Sequence, residues 1–217
     1  MSESSLTAKA TAGVYAEVMK QIYDSVDKRF REAVSNAFDA RATKISISVM
    51  LGHNDQIIVR DDGDGMDEKD LKDNYINMGG GGKYDDEEAI GRIGIGALSI
   101  FAIGEKITVK TRKKGTDKVL TAELDFSELL RAEKHSMPLD QVPVGRIKSI
   151  RGATDEDEDH FTEIIIRSLS DASKEIFNNE AKTRALLDNL ERILPIPLRP
   201  DDALLDRSLE LVHMIVT

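Results

Sequence analysis

Hydrophobic and polar residues follow two spacings along the chain, and each spacing predicts a different kind of element. Apolar residues recur at steps of three and four between residues 5 and 42, which predicts two helices in that stretch. A long amphipathic helix is predicted over residues 171–194, and a short helix over about 67–73. Alternation with a period of two predicts strands. These strands cover residues 44–50, 56–60, 106–112, 118–126, 144–151 and 162–168.

The order of these elements indicates the fold class. The strands come as hairpins more than as β-α-β units, which disfavours a dinucleotide-binding fold. We therefore predict an α+β protein, a two-layer α/β sandwich in which helices cover one face of a mostly antiparallel sheet. Three prolines between residues 195 and 200 break the pattern. This break predicts one domain over residues 1–197 and the start of a following, truncated segment over 198–217.

The composition excludes several classes of protein. Lys and Arg number 30 against 40 Asp and Glu, a formal net charge of -10, whereas binding of nucleic acid by bulk charge needs a basic surplus. The chain has no Cys, which excludes disulfides and thiolate metal sites. No signal peptide or long apolar run is evident, so we expect a cytoplasmic protein without a membrane segment. The acidic run at residues 154–160 predicts a solvated loop.

Two neighbouring segments are rich in glycine and interrupt the apolar pattern. Residues 74–88 contain four consecutive glycines and predict a mobile loop. The stretch AIGRIGIGALSIF follows, in which Gly91, Gly94 and Gly96 precede a helix predicted from about residue 94. Backbone N–H groups in such a turn, with the positive end of a helix, can hold a phosphate. A turn required only for packing explains these glycines equally well.

A carboxylate and an amide share one face of the second predicted helix, because Glu32 and Asn36 are four residues apart. An exposed polar pair is one interpretation. The small residues Ala33, Ala37 and Ala40 nearby favour another, a helix face that a ligand can approach. The amide supplies a neutral oxygen for Mg²⁺, and the carboxylate can act as a base on water.

An acidic, glycine-rich turn, DDGDGM, follows the second predicted strand at residues 61–66. The ligand positions of a calcium loop are not met in either register. A tight turn is one interpretation. In the other, a carboxylate fixed at the strand end accepts a hydrogen bond from the amino group of adenine. The glycines then admit a flat ring, and Met66 forms a soft apolar wall.

These motifs, in this order, resemble the GHKL ATPase superfamily, which unites DNA gyrase B, the ninety-kilodalton heat-shock chaperones, histidine kinases and MutL, and has the Bergerat fold. The resemblance extends over about residues 5–200. The family motif E-x-x-x-N-A-x-D-A is matched by Glu32, Asn36, Ala37, Asp39 and Ala40; D-x-G-x-G is matched by Asp61, Gly63 and Gly65; G-x-x-G-x-G is matched by Gly91, Gly94 and Gly96. Thr162, at the start of a late strand, matches a fourth element, but Phe161 stands where many members have glycine.

The resemblance implies a Mg²⁺-dependent ATPase and a role for each matched residue. It implies that Asn36 binds the Mg²⁺, that Glu32 orients and deprotonates the attacking water, and that Asp61 reads the adenine amino group with help from Thr162. It implies further nucleotide contacts from Asp39, Gly63, Gly65, Met66, Asn77, Lys83, Gly91, Gly94, Ile95 and Gly96. Solvation alone also explains a lysine at position 83. None of the four histidines is given a role.

The resemblance is closest to the chaperone-like and MutL-like branches. The ending NAFDA and the sequence after the glycine motif are similar to the chaperones, whereas DARATKISISV is nearer to MutL. This implies an ATPase that is slow as an isolated domain and that drives conformational change or homodimerisation of a larger chaperone-like protein, with protein clients or DNA bound through downstream domains. Two alternatives stay open: a DNA repair or defence ATPase of MutL or MORC type, and a nucleotide-gated binding module with vestigial hydrolysis.

Overall fold

The computed structural model describes residues 10–14, 17, 26–52, 54–76, 100, 103–125, 127–131, 136–155, 157–193 and 210–216. The helices are α1 (Val26–Asp39), α2 (Glu68–Asp70), α3 (Ser127–Leu130), α4 (Asp171–Phe177) and α5 (Glu180–Ile193), with a π-helical turn at Leu71–Tyr75 and a 3-10 turn at Leu139–Gln141. The strands are β1 (Lys44–Met50), β2 (Gln56–Asp61), β3 (Gly104–Arg112), β4 (Lys118–Asp125), β5 (Gly145–Gly152), β6 (Phe161–Leu169) and β7 (Glu210–Val216).

The described strands form one sheet in the order β5-β4-β3-β6-β2-β1-β7. Every pair is antiparallel except β1 and β7, which run parallel. The prediction of an α+β sandwich with a mostly antiparallel sheet is confirmed. Strand β7 falls in the range predicted to begin a following segment, and it pairs with β1 at the edge of this same sheet. The boundary of the domain stays a prediction.

One face of the sheet carries the core, because alternate side chains of each strand point to opposite faces. In β1 the side chains of Ile45, Ile47 and Val49 are buried, whereas the serines between them are half-buried. Helix α1 covers this face with residues spaced by three and four, of which Phe30 and Phe38 are fully buried. Phe30 also meets Phe177 of α4 edge to face, with ring centres 6.0 Å apart. Full burial of such a side chain stabilises the fold by about 1.5–3 kcal/mol.

The prediction of one long helix over residues 171–194 is wrong, because the structure has two helices, α4 and α5, separated at Asn178 and Asn179. The side-chain oxygen of Asn179 accepts a hydrogen bond of 3.0 Å from the backbone N–H of Lys182 in the first turn of α5. Asparagine forms such local bonds more readily than it continues a helix, so it favours helix ends. Within the described residues, no helix is long and apolar enough to cross a membrane.

The acidic run at residues 154–160 is tied to the sheet. The side chain of Asp157 is only 5% exposed, and its two oxygens each accept a hydrogen bond of 2.7 Å from the guanidinium of Arg151. These bonds hold the pKa of Asp157 well below its usual range. Arg60 lies over the ring of the buried Phe161, 4.3 Å from its centre, and pairs with another acid of the run. The prediction of a solvated loop is therefore wrong for Asp157.

Candidate functional site

Asp61 is a buried carboxylate at the end of β2. It shares the core-facing side of that strand with Ile57 and Val59, so its side chain is directed into the fold and is 9% exposed. Burial raises its pKa to about 7, although a hydrogen bond of 2.9 Å from the backbone N–H of Gly63 opposes this rise. Among the described residues, this N–H is the one hydrogen-bond donor to the carboxylate. Asp61 therefore retains capacity to accept bonds from a ligand.

The two glycines of the D-x-G-x-G motif are required by the space around them. A Cβ on Gly63 would lie 2.8 Å from the Oδ1 atom of Asp61 and 2.9 Å from the Cβ atom of Ala40. Gly65 has φ +65°, and a Cβ there would lie 1.9 Å from the carbonyl oxygen of Arg112. The motif thus packs closely against the end of α1 on one side and the end of β3 on the other.

Hydrogen bonds join this turn to the segment after α1. Asp62 accepts bonds from the backbone N–H groups of Thr43 and Lys44, at 2.7 and 2.8 Å. The backbone N–H of Asp64 donates to the carbonyl oxygen of Ala40 at 2.7 Å. The structure therefore brings the end of the first sequence motif into contact with the second.

The polar pair of the first motif lies on α1. Glu32 and Asn36 are half-buried, as is Asp39 at the end of the helix, whereas Ala33 and Ala37 are buried in the core. The pair is therefore placed along the border between the core and the surface of α1. This position suits a ligand that contacts the helix from the side.

Thr162 and Thr111 continue the polar row that Asp61 begins. Asp61 lies opposite Thr162 in the β2–β6 register, and Thr162 lies opposite Thr111 in the β3–β6 register. Both threonines are buried, Thr111 completely. The sequence reasoning missed Thr111. The available signal was the alternation in KITVKTR, which places this polar residue on the same strand face as the apolar Ile107 and Val109.

Three further residues lie near the turn, and the sequence reasoning gave a role only to Met66. Met66, predicted as a base contact, is half-buried and packs against the core, and its backbone N–H donates to Thr111 Oγ1 at 2.9 Å. Tyr75 was missed, because it falls where the sequence predicts the start of a loop; burial and the charge of Asp61 raise its pKa. His160, given no role, lies with Nδ1 2.8 Å from the carbonyl oxygen of Gly63.

The structure brings some of the predicted site residues together, and others lie outside the residues that it describes. The residues it brings to one end of the core are Asp61, Gly63, Gly65, Met66 and Thr162. The remaining loop and glycine-motif residues lie outside the described residues: Asn77, Lys83, Gly91, Gly94, Ile95 and Gly96.

Comparison with known proteins adds a family and several relatives. Residues 25–154 match the model of the family described as histidine kinase-, DNA gyrase B- and HSP90-like ATPase. The chaperone protein HtpG of Rickettsia canadensis (strain McKiel) is 33% identical over 122 residues, covering 50% of this chain and 20% of HtpG. The protein named "Putative type II restriction enzyme HgiDII" of Herpetosiphon aurantiacus is 29% identical over 121 residues, covering 53% of this chain and 19% of the relative.

This chain therefore spans about a fifth of the length of these relatives. Among solved structures, the N-terminal domain of a DNA repair protein superimposes with a TM-score of 0.51 at 19% identity. That superposition covers 84% of this chain and 48% of the other. At this identity the likeness concerns the fold alone.

Proposed function

Because this chain belongs to the family of histidine kinase-, DNA gyrase B- and HSP90-like ATPases, we propose that it binds ATP at Asp61 and hydrolyses it slowly with Mg²⁺. The observation that carries the proposal is the buried carboxylate of Asp61, which accepts one hydrogen bond from the described residues. Burying a carboxylate with few hydrogen-bond partners is costly, and titratable groups perturbed by burial are concentrated at functional sites.

The surroundings of Asp61 suit an adenine base. An ionised carboxylate accepts a hydrogen bond from the 6-amino group of adenine, whereas guanine presents a carbonyl oxygen at that position. Gly63 and Gly65 leave the adjacent backbone without side chains, and the half-buried Met66 supplies a polarisable apolar surface for the ring. Thr162, opposite Asp61 on β6, adds a hydroxyl beside this carboxylate.

The reacting end of the nucleotide is assigned to α1. The described residues contain no cluster of three or more His, Asp or Glu side chains that could hold a metal alone. Mg²⁺ needs no such cluster, because it commonly takes one or two protein oxygens together with substrate phosphates, and the half-buried amide of Asn36 fits that requirement. When bound, Mg²⁺ neutralises charge on the phosphates. Glu32, four residues before Asn36, takes the proton from the attacking water.

The contacts to the phosphates are assigned from the family motifs, in residues outside those that the structure describes. Backbone N–H groups at Gly91, Gly94, Ile95 and Gly96 hold the phosphates, Asn77 contacts the nucleotide, and Lys83 contacts a phosphate. Asp39 completes the nucleotide contacts from α1. The proposal therefore includes nucleotide contacts from each of these residues.

We infer that the ATPase domain, over residues 1–197, drives a nucleotide-gated change or homodimerisation of a larger, cytoplasmic chaperone-like protein. The identity to HtpG supports this branch. A DNA-acting branch of MutL or MORC type is the second candidate, because one relative is named "Putative type II restriction enzyme HgiDII". In either branch, protein clients or DNA would be bound by other domains. A binding module with vestigial hydrolysis is the third.

Thermal unfolding tests the proposed function directly. ATP with Mg²⁺ should raise the unfolding midpoint of the chain, since ligand at ~100 times its dissociation constant adds about 2.7 kcal/mol of stability. GTP should raise it much less. Asp140→Asn, which alters an exposed acid of the 3-10 turn, is the matched control for Asp61→Asn and should keep the ATP response. Equal shifts with GTP and ATP would refute the assignment of adenine to Asp61.

A further inference from the structure

A row of polar side chains crosses the central strands on the face of the sheet that otherwise carries the apolar core. Asp61, Thr162 and Thr111 lie side by side on β2, β6 and β3. The next positions on that face of β6 and β3 are the buried Ile164 and Val109. Buried hydroxyl groups are unfavourable unless they are hydrogen-bonded. The hydrogen-bond partners of Thr111 therefore indicate what role its buried hydroxyl group has.

The partners of Thr111 determine which way its hydroxyl group is oriented. Its Oγ1 atom lies 2.8 Å from the carbonyl oxygen of Phe161 and 2.9 Å from the backbone nitrogen of Met66. A carbonyl oxygen can only accept and a backbone N–H can only donate, so Thr111 gives its single hydrogen to Phe161 and accepts from Met66. Thr162 Oγ1 lies 3.3 Å from Thr111 Oγ1. Because Thr111 has no second hydrogen, Thr162 is the donor in that contact.

This orientation changes what Thr162 can offer to a ligand. We propose that Thr111 is a positioning residue for base recognition, which holds the Thr162 hydroxyl as a donor to Thr111 and leaves only an acceptor beside Asp61. Side chains directly opposite each other on neighbouring strands have Cβ atoms about 4.5–5.5 Å apart, so the two acceptors lie side by side. Two acceptors suit an exocyclic amino group with its two hydrogens, and they disfavour the carbonyl oxygen of a 6-oxopurine. The inference rests on the proposed function, since it takes a purine base as the ligand of Asp61.

The ratio of affinities for ATP and ITP separates this role from a merely structural one. ITP carries hypoxanthine, in which a carbonyl oxygen replaces the 6-amino group. Thr111→Val removes the hydroxyl at nearly constant shape, and Thr111→Ser, the matched control, retains it. Calorimetric titrations at about pH 8, where an acid with a pKa near 7 is ionised, give both dissociation constants.

In Thr111→Val the hydroxyl of Thr162 is free to turn and donate to a 6-oxo group. We expect the preference for ATP over ITP to fall about tenfold in this variant and to stay within about twofold of the original in Thr111→Ser. A loss of packing alone weakens both nucleotides equally. An unchanged ATP-to-ITP preference in a folded Thr111→Val variant would therefore overturn the inference.

A second variant covers the case in which Thr111→Val gives no cooperative unfolding transition. Thr162→Val removes the proposed acceptor, while Thr111 keeps its bonds to Phe161 and Met66. We expect it to weaken ATP about tenfold and to leave ITP unchanged; an equal loss for both overturns the inference. If the unaltered chain prefers ATP over ITP but Thr111→Val keeps that preference, this inference alone fails. If the unaltered chain binds ATP and ITP equally, the assignment of adenine to Asp61 fails as well. If it binds neither, the proposed function fails with it.

Discussion

At the scale of single residues, the surroundings of two carboxylates suit them to different tasks. Asp61 is buried at a strand end and held by the backbone of Gly63, whereas Glu32 is half-buried on α1 beside Asn36. A buried hydrogen-bond acceptor contributes to binding whenever the adenine ring is bound. A general base contributes mainly when water attacks the phosphate. The two side chains should therefore affect different steps.

Substitution of the two carboxylates should have different consequences. Glu32→Ala should retain ATP affinity while the hydrolysis rate falls by roughly 10²–10⁴. Asp61→Asn keeps the shape but loses a charge-assisted bond of about 1.5–3 kcal/mol, which is roughly ten- to a hundredfold in affinity. Calorimetric titration of ATP and a phosphate-release assay on the same preparations measure both effects. If Glu32→Ala abolished binding and Asp61→Asn bound normally, the two roles would be wrongly assigned.

The raised pKa of Asp61, about 7, predicts a pH dependence of stability. Because the folded state binds this proton more tightly than the unfolded state, Asp61 stabilises the fold below the unfolded pKa near ~4, and that contribution is lost as the pH rises through about 7. Urea unfolding of the unaltered chain and of Asp61→Asn should show the variant gaining relative stability between about pH 5 and pH 8, on the order of a few kcal/mol. A difference that stays constant over this range would show that Asp61 titrates normally. Asp140→Asn serves as the exposed control.

At the scale of elements, the sequence predicts the helices and strands in which the spacing of apolar residues is regular over the whole length. All six predicted strands agree with the structure to within two residues. Five of them have one buried face, which the alternation marks, whereas β5 has no buried residue. The helix break at Asn178 and Asn179 was missed because the apolar period continues across it. Thr111 was missed because a single polar residue in an alternating strand gives no sign of the partners it meets through tertiary contacts.

The turn after β2 offers a matched pair of glycines for a test. Gly65 and Gly115 both have positive φ, +65° and +76°, but a Cβ would lie 1.9 Å from the Arg112 carbonyl oxygen at Gly65 and in open space at Gly115. Gly115→Ala should cost about 1–2 kcal/mol for the left-handed backbone alone. Gly65→Ala should cost clearly more and should also weaken ATP, since the backbone of the D-x-G-x-G turn must shift. Denaturant unfolding of both variants measures the difference, and equal losses would contradict the close packing seen at Gly65.

At the scale of the whole molecule, the buried polar residues of the candidate site lie at the ends of the central strands of the sheet. Asp61, Thr162 and Thr111 belong to β2, β6 and β3, which are neighbours in the middle of the strand order. A ligand that binds there contacts the part of the fold that must be intact for the core to exist, so binding and global stability are linked. The sequence motifs that contribute to this site could be predicted from the sequence because the residues of each motif are close together along the chain. Their mutual contacts could not, since residues such as Ala40 and Gly63 meet only in the folded chain.

Turnover by this chain should be slow and should depend on its concentration. Residues 79–82 are four consecutive glycines, and fixing the backbone of any residue around a nucleotide costs ~1–2 kcal/mol of conformational entropy. A second copy that packs against the nucleotide-bound chain would offset this cost. We therefore expect a rate well below the typical ~1–10³ s⁻¹, and a rate per chain that rises between low and high micromolar protein. Phosphate release measured at both concentrations, with Glu32→Ala subtracted as the background, tests this. Many turnovers per second at low concentration, with no rise at high concentration, would show that this chain hydrolyses ATP without a partner.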